Sequence, residues 1–304
     1  CIYMKPTQGA IVVAKKSNKQ ISTLVEDIYS LFTSDKKATI DAEDLKEMSE
    51  EICSSIIEAI TQEERKPRNN LRLSMIGHPN RKIWYSLNNK DDNKKQEEEF
   101  TGPDYIKFLY GHILESVLVF LSKTSGHKVS DRQKELVVND VVGHQDGMVD
   151  DVLVDFKTAS SFSFKKFKTG KIFQDDPFGY IAQLSAYAQA NEVKEAGFVV
   201  IDKTTGEITY CPVHHMEMIN AEDRIDSIRE SLESSIPPER CYSAIPDGAA
   251  GNLRLDTGCV YCSYKFDCWS DANNGTGLRA FQYASNVKYL TNVNKEPNVQ
   301  EIQI

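Results

Sequence analysis

The sequence predicts an α/β fold: a central mixed sheet flanked by helices, with a helical extension before it. Three observations predict it. Segments of helical and strand periodicity alternate along the chain, in the order helix, hairpin, helix, hairpin, helix. Residues 143–158, GHQDGMVDDVLVDFKT, are rich in β-branched residues and carry Asp150-Asp151 where a hairpin would turn. The helical segments place apolar residues three and four apart, so each has one face to bury on a sheet. A length of 304 residues allows one large domain or two modest ones, and 40% hydrophobic with 27% charged residues is an ordinary globular composition. No run approaches the roughly 18 apolar residues of a membrane span. The first residues, CIYMKPTQGAIVVAKK, lack the long apolar region and cleavage site of a signal peptide. The expectation is a cytoplasmic protein with no membrane association.

Residues 1–70 read as an accessory helical extension. One helix is predicted over 21–32 and a stronger one over 41–64, where Leu45, Met48, Ile52, Ile56 and Ile60 form a stripe and Cys53 is expected to be buried beside it. Lys66-Pro67-Arg68-Asn69-Asn70 marks a boundary. The segment 71–87 holds a Gly77-His78-Pro79 turn with Arg72, Arg81 and Lys82, and the charge run 91–99 reads as a solvated loop. Gly102-Pro103 opens a helix over 104–122, apolar along Ile106, Leu109, Ile113, Val117 and Leu121, with His112 and Glu115 as surface neighbours. After the hairpin, 161–173 reads as a loop. A helix from Pro177 to about Asn191 carries Gln183 and Tyr187 one turn apart. A second hairpin follows over 197–213, turning at Lys203-Thr204-Thr205-Gly206, and then a helix over 221–235 ended by Pro237-Pro238. Residues 239–258 look loop-like, and the tail from Asn292 is expected to fray. The expected divisions are 1–70, a core over 71–270, and a tail over 271–304.

The first hairpin carries the chemistry. With Asp150-Asp151 as its loop, Val149 faces Val152, Met148 faces Leu153, Gly147 faces Val154, and Asp146 faces Asp155. Like charges directly opposed in a strand pair are destabilising, and a bound divalent cation is the simplest compensation. Asp155 and Lys157 share a sheet face. Two carboxylates and an ammonium form the layout of a Mg²⁺-dependent phosphodiester-cleaving site. The bland alternative is a solvated hairpin with incidental charges. Glu115 adds a third carboxylate, and His112 a possible ligand better suited to Mn²⁺ than to Mg²⁺. Asp150 and Asp151 read as turn residues rather than ligands.

Seven cysteines is an odd number, and three form Cys259-x2-Cys262-x5-Cys268, which favours a metal site in a reducing compartment over a disulfide framework. Thiolates so spaced bind Zn²⁺ or an iron–sulfur cluster. The net charge of −9 leaves nucleic-acid binding to local basic surface. Lys165, Lys166, Lys168 and Lys171, interleaved with Phe162, Phe164, Phe167 and Phe173, are one such surface. The lysines would engage phosphates; the rings would either stack on unpaired bases or pack on the core.

Four pieces occur in order: Gly111-His112-x-x-Glu115, Gly143-His144-x-Asp146-Gly147, Val154-Asp155-Phe156-Lys157-Thr158 and Gln183-x-x-x-Tyr187. Over roughly residues 71–270 this set resembles RecB-type nucleases of the PD-(D/E)XK superfamily. The resemblance implies a restriction-endonuclease-like core. It also implies Mg²⁺- or Mn²⁺-dependent cleavage of DNA, commonly as an exonuclease on ends or single strands, in phage or bacterial recombination, repair or DNA degradation. Asp146 and Asp155, with Glu115 and His112, would hold the metal; Lys157 would be the catalytic lysine; Gln183 and Tyr187 would orient substrate. Asp155 stands where Glu is commoner in this motif.

The cysteine spacing resembles the C-terminal triplet of the iron–sulfur subgroup, which includes CRISPR-associated, AddB-type and many phage exonucleases. Their fourth cysteine lies upstream in a segment like Ser-x-x-x-Cys-Pro-Arg-x-x-Tyr. Residues 74–85 hold no cysteine. His78 is the obvious substitute, Asn80 takes its place if the match shifts, and Cys241 and Cys211 stand in reserve. Both [4Fe–4S] and Zn²⁺ remain open, clamping the two ends of the core. Arg81 and the lysines after residue 161 would guide the strand. The N-terminal helices would either bind a protein partner or cap the core. A phage-encoded chain would work in the host cytoplasm. The rival from another class is a catalytically silent DNA-binding or scaffold protein retaining the fold, against which the intact Asp-Asp-Lys set argues.

Overall fold

The structure is a computed structural model describing residues 19–61, 70–88, 101–284 and 286–303. The N-terminal residues up to 18, most of the boundary at 66–70 and the charge run 91–99 lie outside the described residues. In chain order the elements are α1 (Leu24–Thr33), α2 (Ala42–Thr61), α3 (Asn80–Asn88), α4 (Gly102–Thr124), β1 (Val129–Ser130), β2 (Glu135–Val138), β3 (Val141–His144), β4 (Gly147–Val149), β5 (Val152–Ala159), α5 (Ser161–Lys168), α6 (Tyr180–Ala190), β6 (Glu195–Asp202), β7 (Ile208–His214), α7 (Ala221–Glu233), β8 (Ile245–Asp247), β9 (Asn252–Arg254), the single-turn helices α8 (Thr257–Val260), α9 (Lys265–Cys268) and α10 (Ala272–Gly275), then β10 (Arg279–Gln282), β11 (Val287–Asn292) and β12 (Glu301–Ile302). Two compact units result: one from the chain up to Gly77 together with the stretch to Arg224, the other from His78 to the end of α3 together with Ile225 onward.

The first unit contains the expected mixed sheet, in the order β1-β4-β5-β6-β7. Only β5 and β6 run parallel, with α5 and α6 between them in sequence; the other pairs are antiparallel. The first hairpin has the expected register: Gly147 faces Val154, Met148 faces Leu153 and Val149 faces Val152. Asp150 and Asp151 both take positive φ, 50° and 66°, the left-handed pair that a two-residue turn matching strand twist demands. The pairing stops at Gly147, so Asp146 lies just outside the ladder rather than within it. A further hairpin, β2–β3, turns at Asn139-Asp140 with the same two positive φ values in kind, 45° and 58°. Its Asn-Asp pair between valines was a readable signal.

Alternation along β5 divides its side chains. Val154 and Phe156 enter a core with Val149, Val199, Ile201, Ile208, Leu118 and Val119. Ile21, Leu24 and Ile28 belong to the same core, and the Tyr29 hydroxyl accepts a hydrogen bond from the Ile208 amide at 2.6 Å. The helix over 21–32 is therefore part of the sheet's packing, correcting its accessory reading. His127 reinforces this: Nδ1 lies 2.5 Å from Asp150 Oδ2 in the hairpin turn, and Nε2 lies 3.1 Å from Asp27 Oδ2 in α1. Helix α4 is long and apolar enough to cross a bilayer by length and composition. Its Ser116, Leu118, Val119 and Ser122 are nevertheless buried in protein, and Thr101 and Asp104 close a capping box at its start.

Helix α2 forms as expected, but its stripe is only half-buried, and Cys53 is exposed instead of packed. The segment read as a loop at 161–173 is helical over Ser161–Lys168: the Ser160 side chain caps it, and Phe164 and Phe167, three apart, face the core. In the second unit, β8 and β9 replace the expected loop. β12 pairs with β10 while Glu296 and Glu301 clamp Arg279, so the C-terminal segment is folded back rather than frayed.

Candidate active site

The strand β5 supplies Asp155 and Lys157 on the face opposite Val154 and Phe156. Asp155 is 2% exposed, and its Oδ2 pairs with the Lys157 ammonium. Asp146 returns to the same strand through its own carboxylate, which accepts from the Phe156 amide at 2.8 Å. Thus Asp146 and Asp155 are tied to one strand although they do not form a cross-strand pair. Glu115, from the middle of α4, completes a set of three acids whose charges act on one another.

The electrostatics follow from this crowding. Burial, then the Asp155 charge, push Asp146 well above the usual carboxylate range, against the pull of Lys157. Burial likewise raises Glu115, which Arg132 counters. Burial alone would lower Lys157, but Asp155 and Asp146 outweigh it and hold the ammonium protonated above its ordinary range. Tyr187 is 2% exposed; its hydroxyl accepts from Gln183 Nε2 at 3.1 Å, and burial, with Asp155 and Asp146 adding, raises its pKa. Gly143 makes room for this ring: a Cβ there would lie 2.9 Å from Tyr187 Cε1 and 2.7 Å from Leu73 Cβ.

Two neighbours escaped the sequence reading. Arg132 stands 3.9 Å from Glu115 and is held by Glu47 and Glu51 of α2, which makes it the acid's counter-charge. Tyr180 presents its ring 5.0 Å from Lys157 Nζ. Nothing in the local sequence of either residue pairs it with the motif residues. His112 is exposed one turn before Glu115, and among the described residues no hydrogen bond or ion pair links its side chain to the acids.

Among the described residues, no three His, Cys, Asp or Glu side chains converge as a finished ligand set. The acidic site nevertheless fits a divalent cation on its own chemistry. Asp155 Oδ1 is buried with no hydrogen-bond donor, and such an atom carries a full desolvation cost. Asp146 and Glu115 are acids that burial drives toward protonation. A divalent cation would relieve all three at once. Because Asp146 binds its proton more tightly folded than unfolded, its contribution to stability is largest at low pH and declines as pH rises through the ordinary carboxylate range toward its folded pKa. In EDTA, the melting temperature of wild type relative to Asp146→Asn should therefore fall between about pH 5 and about pH 7.5. Mn²⁺ should raise the wild-type value more at the higher pH. A difference that does not vary with pH would refute the assignment.

The second cluster lies wholly in the second unit. The Cys262 amide bonds the Cys259 carbonyl at 3.0 Å in a tight turn, and Arg81 Nε reaches Cys268 Sγ at 3.0 Å. The same guanidinium binds the Pro238 carbonyl, and Arg240 Nε binds the Cys268 carbonyl at 3.1 Å. These bonds draw the Pro238–Cys241 stretch onto the triplet. Burial raises Cys241 and Cys259, the latter to about 11, with the Cys268 and Cys262 thiols adding to both. The charges of the Cys262 and Cys268 thiols thus reach Cys241, the reserve candidate for a fourth ligand, as well as Cys259. His78 is desolvated, faces Lys82 and is pushed down to about 4. Cys211 belongs to the first unit.

Arg81 gives its donors to Cys268, Pro238 and Tyr85 within the second unit. Of the basic segment, Lys166 binds Asp175 at 2.6 Å and Lys168 binds Glu207, while Lys165 and Lys171 are exposed.

No protein-family model and no curated protein sequence matches this chain. Solved structures do. SSO0001 matches with a TM-score of 0.39 and 14% identity over 71% of this chain and 93% of its own. The alkaline exonuclease LHK-Exo from Laribacter hongkongensis matches with a TM-score of 0.35 and 16% identity over 53% and 90%. A phage-related exonuclease from Haemophilus somnus 129PT matches with a TM-score of 0.31 and 16% identity over 54% and 90%. These are distant likenesses, and the functional reading rests on the side chains of this chain.

Proposed function

We propose that this chain is a Mg²⁺- or Mn²⁺-dependent deoxyribonuclease, an exonuclease acting on DNA ends or single strands. What supports the reading is that Asp155 pairs with Lys157, that Asp146 is tied to the same strand through the Phe156 amide, and that Asp155 Oδ1 is buried and without a donor. Asp146, Asp155 and Glu115 would hold the cation, which supplies charge for an attacking water and a departing oxygen. Lys157, kept protonated by the two aspartates, offsets the charge that builds on phosphorus and orients the water; it is not the base in this state. Gln183 donates to the Tyr187 oxygen and so frees the phenol proton to position a phosphate oxygen. Arg132 neutralises Glu115 and fixes it beside the aspartates. Lys165 and Lys171 are the lysines open to DNA phosphates.

The test is incubation with 5′-labelled single- and double-stranded DNA in Mg²⁺, Mn²⁺ or EDTA. Metal-dependent shortening from an end is the expected result. Intact DNA in both metals would sink the reading, and binding without cleavage would favour the silent scaffold instead.

A structural metal in the second unit belongs to the same reading, with Cys241, Cys259, Cys262 and Cys268 as its ligands, either as [4Fe–4S] or as zinc. Four thiolates suit both groups. Cys241→Ser should lower bound iron or zinc severalfold, whereas His78→Ala should leave it unchanged; equal metal content in all three proteins would refute the ligand set. Absorbance near about 400 nm would mark iron–sulfur. A protein partner of the N-terminal helices would find exposed apolar side chains at Phe32 of α1 and at Leu45, Ile57 and Ile60 of α2.

A further inference from the structure

One row of rings runs from the acidic site to the surface. The Lys157 ammonium lies 5.0 Å from the Tyr180 ring centre. Tyr180 is fixed from within by Phe167, at 6.0 Å, and by Phe198, at 6.4 Å. On its other side Phe178 stacks at 5.4 Å with 28° between the planes. Phe178 is 53% exposed. One face of the ring is covered by Tyr180, and the exposed remainder forgoes the burial a phenylalanine would gain in a core.

The loop that carries the ring is also held in place. Asp176 accepts from the Gly179 amide at 2.9 Å and from the Ile181 amide at 2.8 Å, fastening the loop to the start of α6. Gly179, between the two rings, has φ of 74° and abuts the Gly77 backbone. The outer face of Phe178 is thus a presented, pre-ordered aromatic surface two rings from the ammonium that pairs with Asp155.

We propose that Phe178 is a stacking platform for an unpaired nucleobase, and that the site takes single-stranded ends in preference to paired ones. A base inside a duplex already has neighbours on both faces; a base without its partner strand can leave the stack and offer one. Stacking reads no sequence, so the preference would be for strandedness rather than for base identity. This deepens the nuclease reading, but the binding it describes does not require cleavage.

The test measures fluorescence anisotropy of a labelled single-stranded oligonucleotide and of an abasic oligonucleotide with the same phosphates, in EDTA, using the full chain. Phe178→Leu keeps the apolar contact with Tyr180 and removes the flat face; Phe178→Trp keeps the face. Phe178→Leu should weaken binding of the base-bearing strand about 5- to 150-fold. It should leave the abasic strand unchanged, and Phe178→Trp should bind as wild type. A 2-aminopurine at the strand end should be quenched by wild type and not by Phe178→Leu. Equal loss on both strands, or no loss on either, overturns the proposal. A wild type that shows this dependence yet leaves DNA intact in Mn²⁺ refutes the nuclease reading alone; one that cleaves with no Phe178 dependence refutes the platform alone.

Discussion

Lys157→Ala should slow metal-dependent DNA cleavage about 10²- to 10³-fold, the scale for removing one preorganised charge-stabilising group. The effect has two sources. The variant loses the cation facing the charge that develops on phosphorus. It also leaves Asp155, 2% exposed, with neither the ammonium nor any donor to Oδ1, beside Asp146. Removing one partner of a buried pair costs about 3–5 kcal/mol. Initial rates on end-labelled DNA should therefore be read beside melting curves with and without Mn²⁺. The metal should restore much of the lost stability, because it supplies the missing positive charge, and little of the rate. A variant cleaving within about threefold of wild type would remove Lys157 from the chemistry.

Gly77→Ala should lower stability by about 3 kcal/mol or more, the upper end of overpacking costs. A Cβ at Gly77 would stand 2.2 Å from the Gly179 carbonyl oxygen and 2.3 Å from its Cα, and backbone cannot rotate away as a side chain can. In Gly179→Ala the new methyl meets Gly77 Cα at 2.3 Å, on a residue whose φ of 74° already disfavours a side chain. Gly179 immediately precedes α6, so the displacement would pass to Tyr180, Gln183 and Tyr187. The melting temperature should drop at least ~6 °C. Gly111→Ala is the control: its Cβ would meet nothing within 4 Å, and alanine suits the interior of α4 better than glycine does. Equal melting of Gly77→Ala and Gly111→Ala would contradict the close approach.

The hairpin was legible because its information is local: two aspartates fit the left-handed turn, and alternation around them fixes register. The helices read over 104–122 and from Pro177 to about Asn191 were legible for similar reasons: a Gly-Pro or Pro start followed by helical spacing, and they are observed over 102–124 and 180–190. The candidate site was named through ordered motif residues; no local pattern in the sequence relates Glu115 to Asp146. Arg132 was missed because it sits between short strands and meets its three acids only through tertiary packing. Helix α5 was misread because its lysines masked a Ser160 cap and an apolar Phe164/Phe167 pair, signals that composition averages away. His78 was chosen by its position in a motif, and the bonds that Arg81 and Arg240 make to Cys268 and Pro238 are tertiary contacts that no local pattern announces.

The docking of α1 joins parts of the chain that are far apart in sequence. Asp27 meets His127 across 100 positions of chain, and Tyr29 meets Ile208 across 179. Leu24 and Ile28, with no exposed surface, share their core with Val149 on one side of that interval and Ile208 at its end. Contacts of such high sequence separation must close large loops before they return any stabilisation, which slows the search for the native state. On the ribosome, α1 emerges long before the strands it packs against. The hairpin bearing Asp146 and Asp155 is synthesised before β6 and β7, which complete its sheet. The sheet that carries Asp155 is thus complete only once β6 and β7 have been made.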